Sequence, residues 1–257
     1  MSDHGRFIWY ELMTRDVAGA KAFYPAVLPW DVDDASGAPM NYTVVGPGAG
    51  IAGIMEIPAD DIVRGIPTNW SAYIHVDDVD AATAKAEELG GAVLEPGMDI
   101  PGVGRFATIA DPGGAVISVM TPEPPDTPPP VPAAGSPGTV GWRELYAADL
   151  EPAFAFYAAL FGWKKDSDMD LGAMGPYRLF SNQEGRMGGM MTKPSEVPAP
   201  GWLYYFNVAD IDAASARVRA GGGQVLLEPM AAPDGIFVIQ ALDAQGTRFA
   251  LAGPRAS

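Results

Sequence analysis

The chain is written twice. Trp9-Tyr10-Glu11-Leu12 is answered 133 residues later by Trp142-Arg143-Glu144-Leu145, and at the same offset Asp16 matches Asp149, Phe23-Tyr24 matches Phe156-Tyr157 and Trp30 matches Trp163. Residues 50–55 resemble residues 185–190, Trp70, Tyr73 and Asp78 find partners in Trp202, Tyr205 and Asp210, and residues 111–122 align with residues 243–254. Order and spacing held across a whole half-chain imply two copies of one domain. A length of 257 residues is enough for two such cores of roughly 100–130 residues each. Between them, residues 121–138 hold eight prolines in eighteen positions, a composition that favours an extended polyproline strap. The expected division is therefore a first domain over residues 1–120, a linker over 121–138 and a second domain over 139–257.

Composition narrows the partners. Hydrophobic residues make up 48% and charged residues 19%, so the chain can build cores. With no cysteine there is no disulfide scaffold, thiolate metal site or cysteine nucleophile. A net charge of −16 repels phosphate backbones and anionic headgroups, so neither nucleic acid nor membrane is expected as a partner. The opening residues lack the basic start and apolar run of a signal peptide, and a cytoplasmic location is expected.

Local patterns subdivide each copy. Residues 7–13 read as a strand, Asp16 as a helix N-cap, and Ala20, Phe23, Tyr24, Val27 and Leu28 recur at helical spacing. Pro25 predicts a kink or early stop there, whereas the second copy has Ala158. Short strands are expected near 42–45 and 51–57, with Asp31, Asp33 and Asp34 in a loop. The order then restarts: a strand over 71–76, Asp78 capping a helix to about Leu89, Gly90-Gly91 ending it, and strands near 92–95, 105–110 and 115–120. Each domain thus holds two βαβββ units, and the fold class is α+β.

This pattern resembles the vicinal oxygen chelate superfamily, which includes glyoxalase I, bleomycin-resistance proteins and extradiol dioxygenases. The residues that carry it are the strand–Asp–helix–Phe-Tyr opening of each copy, the Phe161-Gly162-Trp163 ending, the helix running into Gly90-Gly91, and the Asp111-Pro112-Gly113-Gly114 turn. The resemblance implies a curved mixed sheet around a cavity in each domain. It leaves lyases, isomerases, dioxygenases and sequestering proteins equally open.

Alternation along the strands sorts the side chains. Ile8, Tyr10 and Leu12 point to the helices, and Trp9 and Glu11 to the inner face. By the same parity Tyr73, His75, Ser118 and Met120 face inward in the first copy, with Met55 nearby. Trp142, Glu144, Tyr146, Tyr205, Asn207 and Arg248 do so in the second. Aromatic and apolar walls with a few polar groups suit a small-molecule site, although the same side chains would also fill a closed core. Members of the family that use a metal place His, Gln or Glu ligands on this face. Those positions carry Trp9, Ser71 and Ser118, with a fourth near Met55, and Trp142, Leu203 and Ala250, with a fourth near Met190. None is a good ligand. The two histidines do not repair this: His4 falls in a terminus expected to fray, and His75 and Glu11 are displaced in opposite directions, roughly 20 Å apart.

The expected function is metal-independent binding of a small aromatic or cationic metabolite or antibiotic, with no cofactor. The alternative is a glyoxalase-like lyase or an oxygenase-type enzyme, using Glu11, Glu144 or His75 as acid or base or an unusual divalent-metal site. A glutamate held by a tyrosine or backbone amide for structural reasons accounts for the repeated Glu equally well. The acidic residues, 17 against 6 basic ones over residues 1–120, suit a cationic ligand. Either a monomer or a homodimer is compatible with two fused domains.

Overall fold

The computed structural model describes residues 3–34, 42–48, 50–63, 65–124 and 132–256. In the first half, β1 (Phe7–Thr14) leads into α1 (Val17–Val27), followed by β2 (Asp31–Asp34), β3 (Thr43–Gly46) and β4 (Ala52–Glu56). A short helix, α2 (Ala59–Val63), precedes β5 (Asn69–His75), α3 (Val79–Glu88), β6 (Ala92–Ile100), β7 (Gly104–Ala110) and β8 (Val116–Pro122). The second half repeats the order: β9 (Val140–Ala147), α4 (Leu150–Phe161), β10 (Lys164–Asp170), β11 (Pro176–Asn182) and β12 (Gly185–Thr192). It closes with β13 (Gly201–Asn207), α5 (Ile211–Ala220), β14 (Gln224–Ala231), β15 (Phe237–Leu242) and β16 (Arg248–Gly253). Each half forms one curved, mixed eight-stranded sheet, ordered β2-β3-β4-β1-β5-β8-β7-β6 and β10-β11-β12-β9-β13-β16-β15-β14. Within every βαβββ module the first and last strands pair in parallel and the others antiparallel.

All four long helices start in the same way. Asp16 accepts from the Gly19 amide, Asp78 from Ala81, Asp149 from Glu151, and Asp210 from Asp212 and Ala213, satisfying amides that a helix start leaves unpaired. The expected interruption at Pro25 does not occur. The proline lies within the last turn of α1, which ends at Val27, one aligned residue before the end of α4. Asp31, Asp33 and Asp34 belong to a strand rather than a loop: β2 pairs with β3, and Lys21 bonds Asp34. Of the expected linker, residues 125–131 lie outside the described residues; residues 121–122 complete β8, and the Gly138 carbonyl accepts from the Trp30 indole at 2.7 Å.

Packing divides the chain into two compact units that are not its two halves. One takes residues 1–8, 71–128 and 142–202; the other takes residues 9–70, 129–141 and 203–257. Each therefore joins one module of the first half to one of the second. In the first unit Ile74, Ile109, Ile117 and Val119 share a core with Phe156, Tyr157, Trp163 and Phe180. In the second, the Trp30 and Trp70 rings lie 5.3 and 5.1 Å from Phe206, and Phe23 lies 5.8 Å from Phe249. Burying each such side chain is worth about 1.5–3 kcal/mol.

An indole, a phenol and an aspartate recur in each core. In the second unit the Trp70 indole donates to the Tyr24 hydroxyl at 2.9 Å, which donates to Asp243 at 3.0 Å. In the first, Trp202 donates to Tyr157 at 3.3 Å, and the Tyr157 hydroxyl favours the charged form of Asp111, whose Oδ2 is buried with no hydrogen bond among the described residues. Both aspartates also hold their own turns: Asp111 accepts from the Gly113 and Ala115 amides and Asp243 from those of Gln245 and Thr247. Burial, then the Asp243 charge, pushes the Tyr24 phenol well above its ordinary value, so it stays a donor. The paired glycines do more than end helices. A Cβ at Gly91 would lie 2.8 Å from the Phe156 ring, and one at Gly223 would lie 3.0 Å from Phe23.

Candidate functional site

The inner faces carry one arrangement twice. In β1, Tyr10, Leu12 and Thr14 are buried beneath the helices, so Trp9, Glu11 and Met13 face the other way. There the Trp9 indole donates to the Tyr42 hydroxyl at 2.7 Å, and Tyr42 donates to Glu11 Oε2 at 3.1 Å. In the second copy Trp142 donates to Tyr177 at 2.8 Å, and Tyr177 bonds Glu144. Burial and then the neighbouring glutamate charge raise both phenols far above the usual tyrosine range. They therefore remain neutral donors, and each carboxylate is held by a tyrosine. Both rings lie across a glycine, Gly53 paired with Glu11 and Gly189 paired with Glu144, and a Cβ at either would overlap the ring.

Tyr42 and Tyr177 are absent from the residues expected at the site. Their signal was in the sequence, since each precedes its glycine strand at nearly the same spacing, but short loops of unequal length hid it. The register also corrects an alignment. Tyr146 pairs with Met191, whereas Met190 pairs with Leu145 and is fully buried among the helix-side residues. Met55, which pairs with Met13 on the inner face, thus has Met191 as its counterpart and not Met190.

In the module of β5 to β8 the inner face is partly covered, with Ser118 and Met120 buried. Ser71, Tyr73 and His75 are half-buried while Ala72 and Ile74 between them are fully buried. Tyr73 pairs with Ser118 and His75 with Met120, and the Phe106 ring lies 6.0 Å from Tyr73. Thr108 bridges two strands, donating to Glu95 at 3.0 Å and bonding Ser118 at 3.2 Å. His75 exchanges backbone bonds with Gly5 and Arg6, and its Nδ1 is buried with no hydrogen bond among the described residues. Burial is the largest cause of its lowered pKa, with the charges of His4 and Arg6 adding to it and those of Asp3 and Asp77 opposing it. His4 is held rather than frayed, its Nε2 3.1 Å from the Leu160 carbonyl.

The module of β13 to β16 is more closed, with Leu203 and Tyr205 buried. Arg248 donates to Gln240 Oε1, and Gln240 Nε2 donates to the Tyr205 hydroxyl at 3.0 Å. The Asn207 amide instead bonds Thr139 at 2.9 Å, and its backbone pairs with Gly138 and Thr139, which ties down the entry to β9.

These side chains do not fit a divalent metal of the kind the family resemblance implies. The Trp9 indole is a donor engaged with Tyr42, Ser118 is a hydroxyl engaged with Thr108, and Met55 offers only a thioether. Among the described residues no group of three or more His, Asp or Glu side chains could hold an ion. A shallow hollow beside β2 and β3 is lined by Asp31, Asp33, Val44, Gly46 and Gly48 among others, and neither Glu11 nor Tyr42 lines it.

Paired βαβββ modules with these inner faces define a class. The chain belongs to the Glyoxalase/Bleomycin resistance protein/Dioxygenase superfamily, whose family model matches residues 6–119 and again residues 139–251. It is 34% identical over 250 residues to the "Putative glyoxylase CFP32" of Mycobacterium tuberculosis, covering 96% of this chain and 94% of that one. To the anthracycline biosynthesis protein DauV of a Streptomyces species it is 30% identical over 239 residues, with 88% and 86% covered. Among solved structures, 2,2',3-trihydroxybiphenyl 1,2-dioxygenase from Sphingomonas wittichii superposes with a TM-score of 0.69 at 14% identity, over 97% of this chain and 90% of that one, a likeness of fold alone. No helix among the described residues is long and apolar enough to cross a membrane.

Proposed function

We propose that this chain binds a small aromatic molecule against the inner faces of its sheets, and does so without a bound metal. The observation that carries the reading is the repeated Trp–Tyr–Glu group. An indole edge, a phenol kept neutral and a carboxylate stand together on the inner face of each copy. Such a face supplies stacking area from the rings and an acceptor that orients a hydroxyl or amine of the ligand. The names of the Streptomyces relatives, which place them in anthracycline biosynthesis, support a fused-ring ligand.

The test is titration of the protein with 1,8-dihydroxyanthraquinone, followed by tryptophan fluorescence with and without EDTA. Saturable quenching that EDTA leaves unchanged, and that Trp9→Phe or Trp142→Phe diminishes, is expected. Glu11→Gln and Glu144→Gln should weaken binding by about 1.5–3 kcal/mol, the range for a hydrogen bond to a charged group. A second reading draws on the name of the mycobacterial relatives: a glyoxalase-like lyase or an oxygenase in which Glu11, Glu144 or His75 moves a proton. Stoichiometric uptake of Ni, Zn, Mn or Fe with turnover of a hemithioacetal or a catechol overturns the metal-independent reading in its favour.

A further inference from the structure

The two copies differ in charge at matched positions of one face. On the inner face of the β5–β8 module, Glu95 pairs with Thr108 and Thr108 with Ser118. The same register positions of the β13–β16 module carry Leu227, Gln240 and Ala250. Two pairs further along, on the same face, where the first copy has Val116 opposite Ala110, the second has Arg248 opposite Leu242. A carboxylate has become leucine and a valine has become arginine, a change of two charges on a face of matching geometry. Each charge is built into a hydrogen-bonded row, Glu95–Thr108–Ser118 in one copy and Arg248–Gln240–Tyr205 in the other.

The repeated Glu-Pro conceals this difference. Both copies have it, and both strands bulge at matching positions, yet the dipeptide falls one register position later in the second copy: Glu95 shares its inward position with Leu227, whereas Glu228 is exposed and pairs with Arg219. The charge of each copy runs the same way: 6 basic against 17 acidic residues over 1–120, but 10 against 13 over 139–257.

We infer that the two copies select ligands of opposite charge. The Glu95 row of the first takes an aromatic compound bearing an ammonium group or a hydroxyl donor. The Arg248 row of the second takes one bearing a carboxylate or phenolate, which the planar guanidinium and the Gln240 amide hold together. The inference rests on the proposed aromatic-ligand function and assigns a ligand class to each copy.

Three probes with one ring system and different charge test it on the full chain by isothermal titration: 2-naphthoate, 2-naphthamide and 2-(aminomethyl)naphthalene in its protonated form. Arg248→Met should weaken 2-naphthoate by at least about tenfold and leave the ammonium probe unchanged, while Glu95→Gln should do the reverse. Arg248→Lys, which keeps the charge, should recover part of the naphthoate affinity, and unchanged thermal melting of each variant shows that the fold is retained. If both ions bind like the amide and neither substitution discriminates between them, the inference fails while aromatic binding stands. If the anthraquinone binds and neither ion does, the inference again fails alone. If no probe and no anthraquinone binds, both readings fall.

Discussion

At the scale of single residues, the inner face depends on groups that hold one another in a fixed protonation state. Tyr42 lies over Gly53 because glycine alone leaves room for the ring, and its phenol stays neutral beside Glu11. His75 is the half-buried histidine of the β5–β8 inner face. Burial lowers its folded pKa, so below its ordinary value of 6.5 the unfolded chain binds a proton that the folded chain resists. Stability contributed by this residue is therefore complete above about pH 6.5 and declines as the pH falls from there toward the lowered folded value. Urea denaturation of the full chain between pH 7 and pH 5 should show this decline. His75→Asn, which installs the residue found at Asn207, should flatten it; an unchanged slope would assign the decline to other groups.

At the scale of elements, the modules keep their architecture through differences that local rules would forbid. Pro25 sits in the last turn of α1, where it removes an amide donor that Ala158 retains in α4. The helix persists because Phe23, Tyr24 and Val27 around the proline are buried in the second unit. Pro25→Ala should therefore stabilise the protein by about 1–2 kcal/mol, the gain in helix bonding less the lost stiffness of the unfolded chain. The check is a shifted denaturation midpoint at unchanged m-value; destabilisation would mean that the proline ring itself is required for packing. Sheet edges are guarded in two ways. β2 and β10 expose charged side chains along their whole length, and β6 and β14 carry Pro96 and Pro229, so none offers a clean ladder to another chain.

At the scale of the whole molecule, the compact units cut across the sequence repeat. Tyr24 reaches Asp243 and Phe156 packs on Gly91, so each unit draws buried groups from both halves. A chain of residues 1–120 alone would expose Phe23, Tyr24 and the helix-side face of β5 that the other half covers. Expressed alone it should aggregate or self-associate, and co-expression with residues 139–257 should restore one monodisperse species. A stable, well-folded 1–120 monomer by analytical ultracentrifugation would refute this account.

The order of modules, the aspartate caps and the inward side of β1 and β5 were determined by the sequence itself, because helix and strand periods and capping are local properties read within a few residues. What Tyr42 does to Glu11, which residue answers Met55, and why Glu95 and Glu228 point to opposite sides were decided only by tertiary structure. Those outcomes turn on register between strands distant in the chain, where a shift of one position reverses the face, and on which modules share a core.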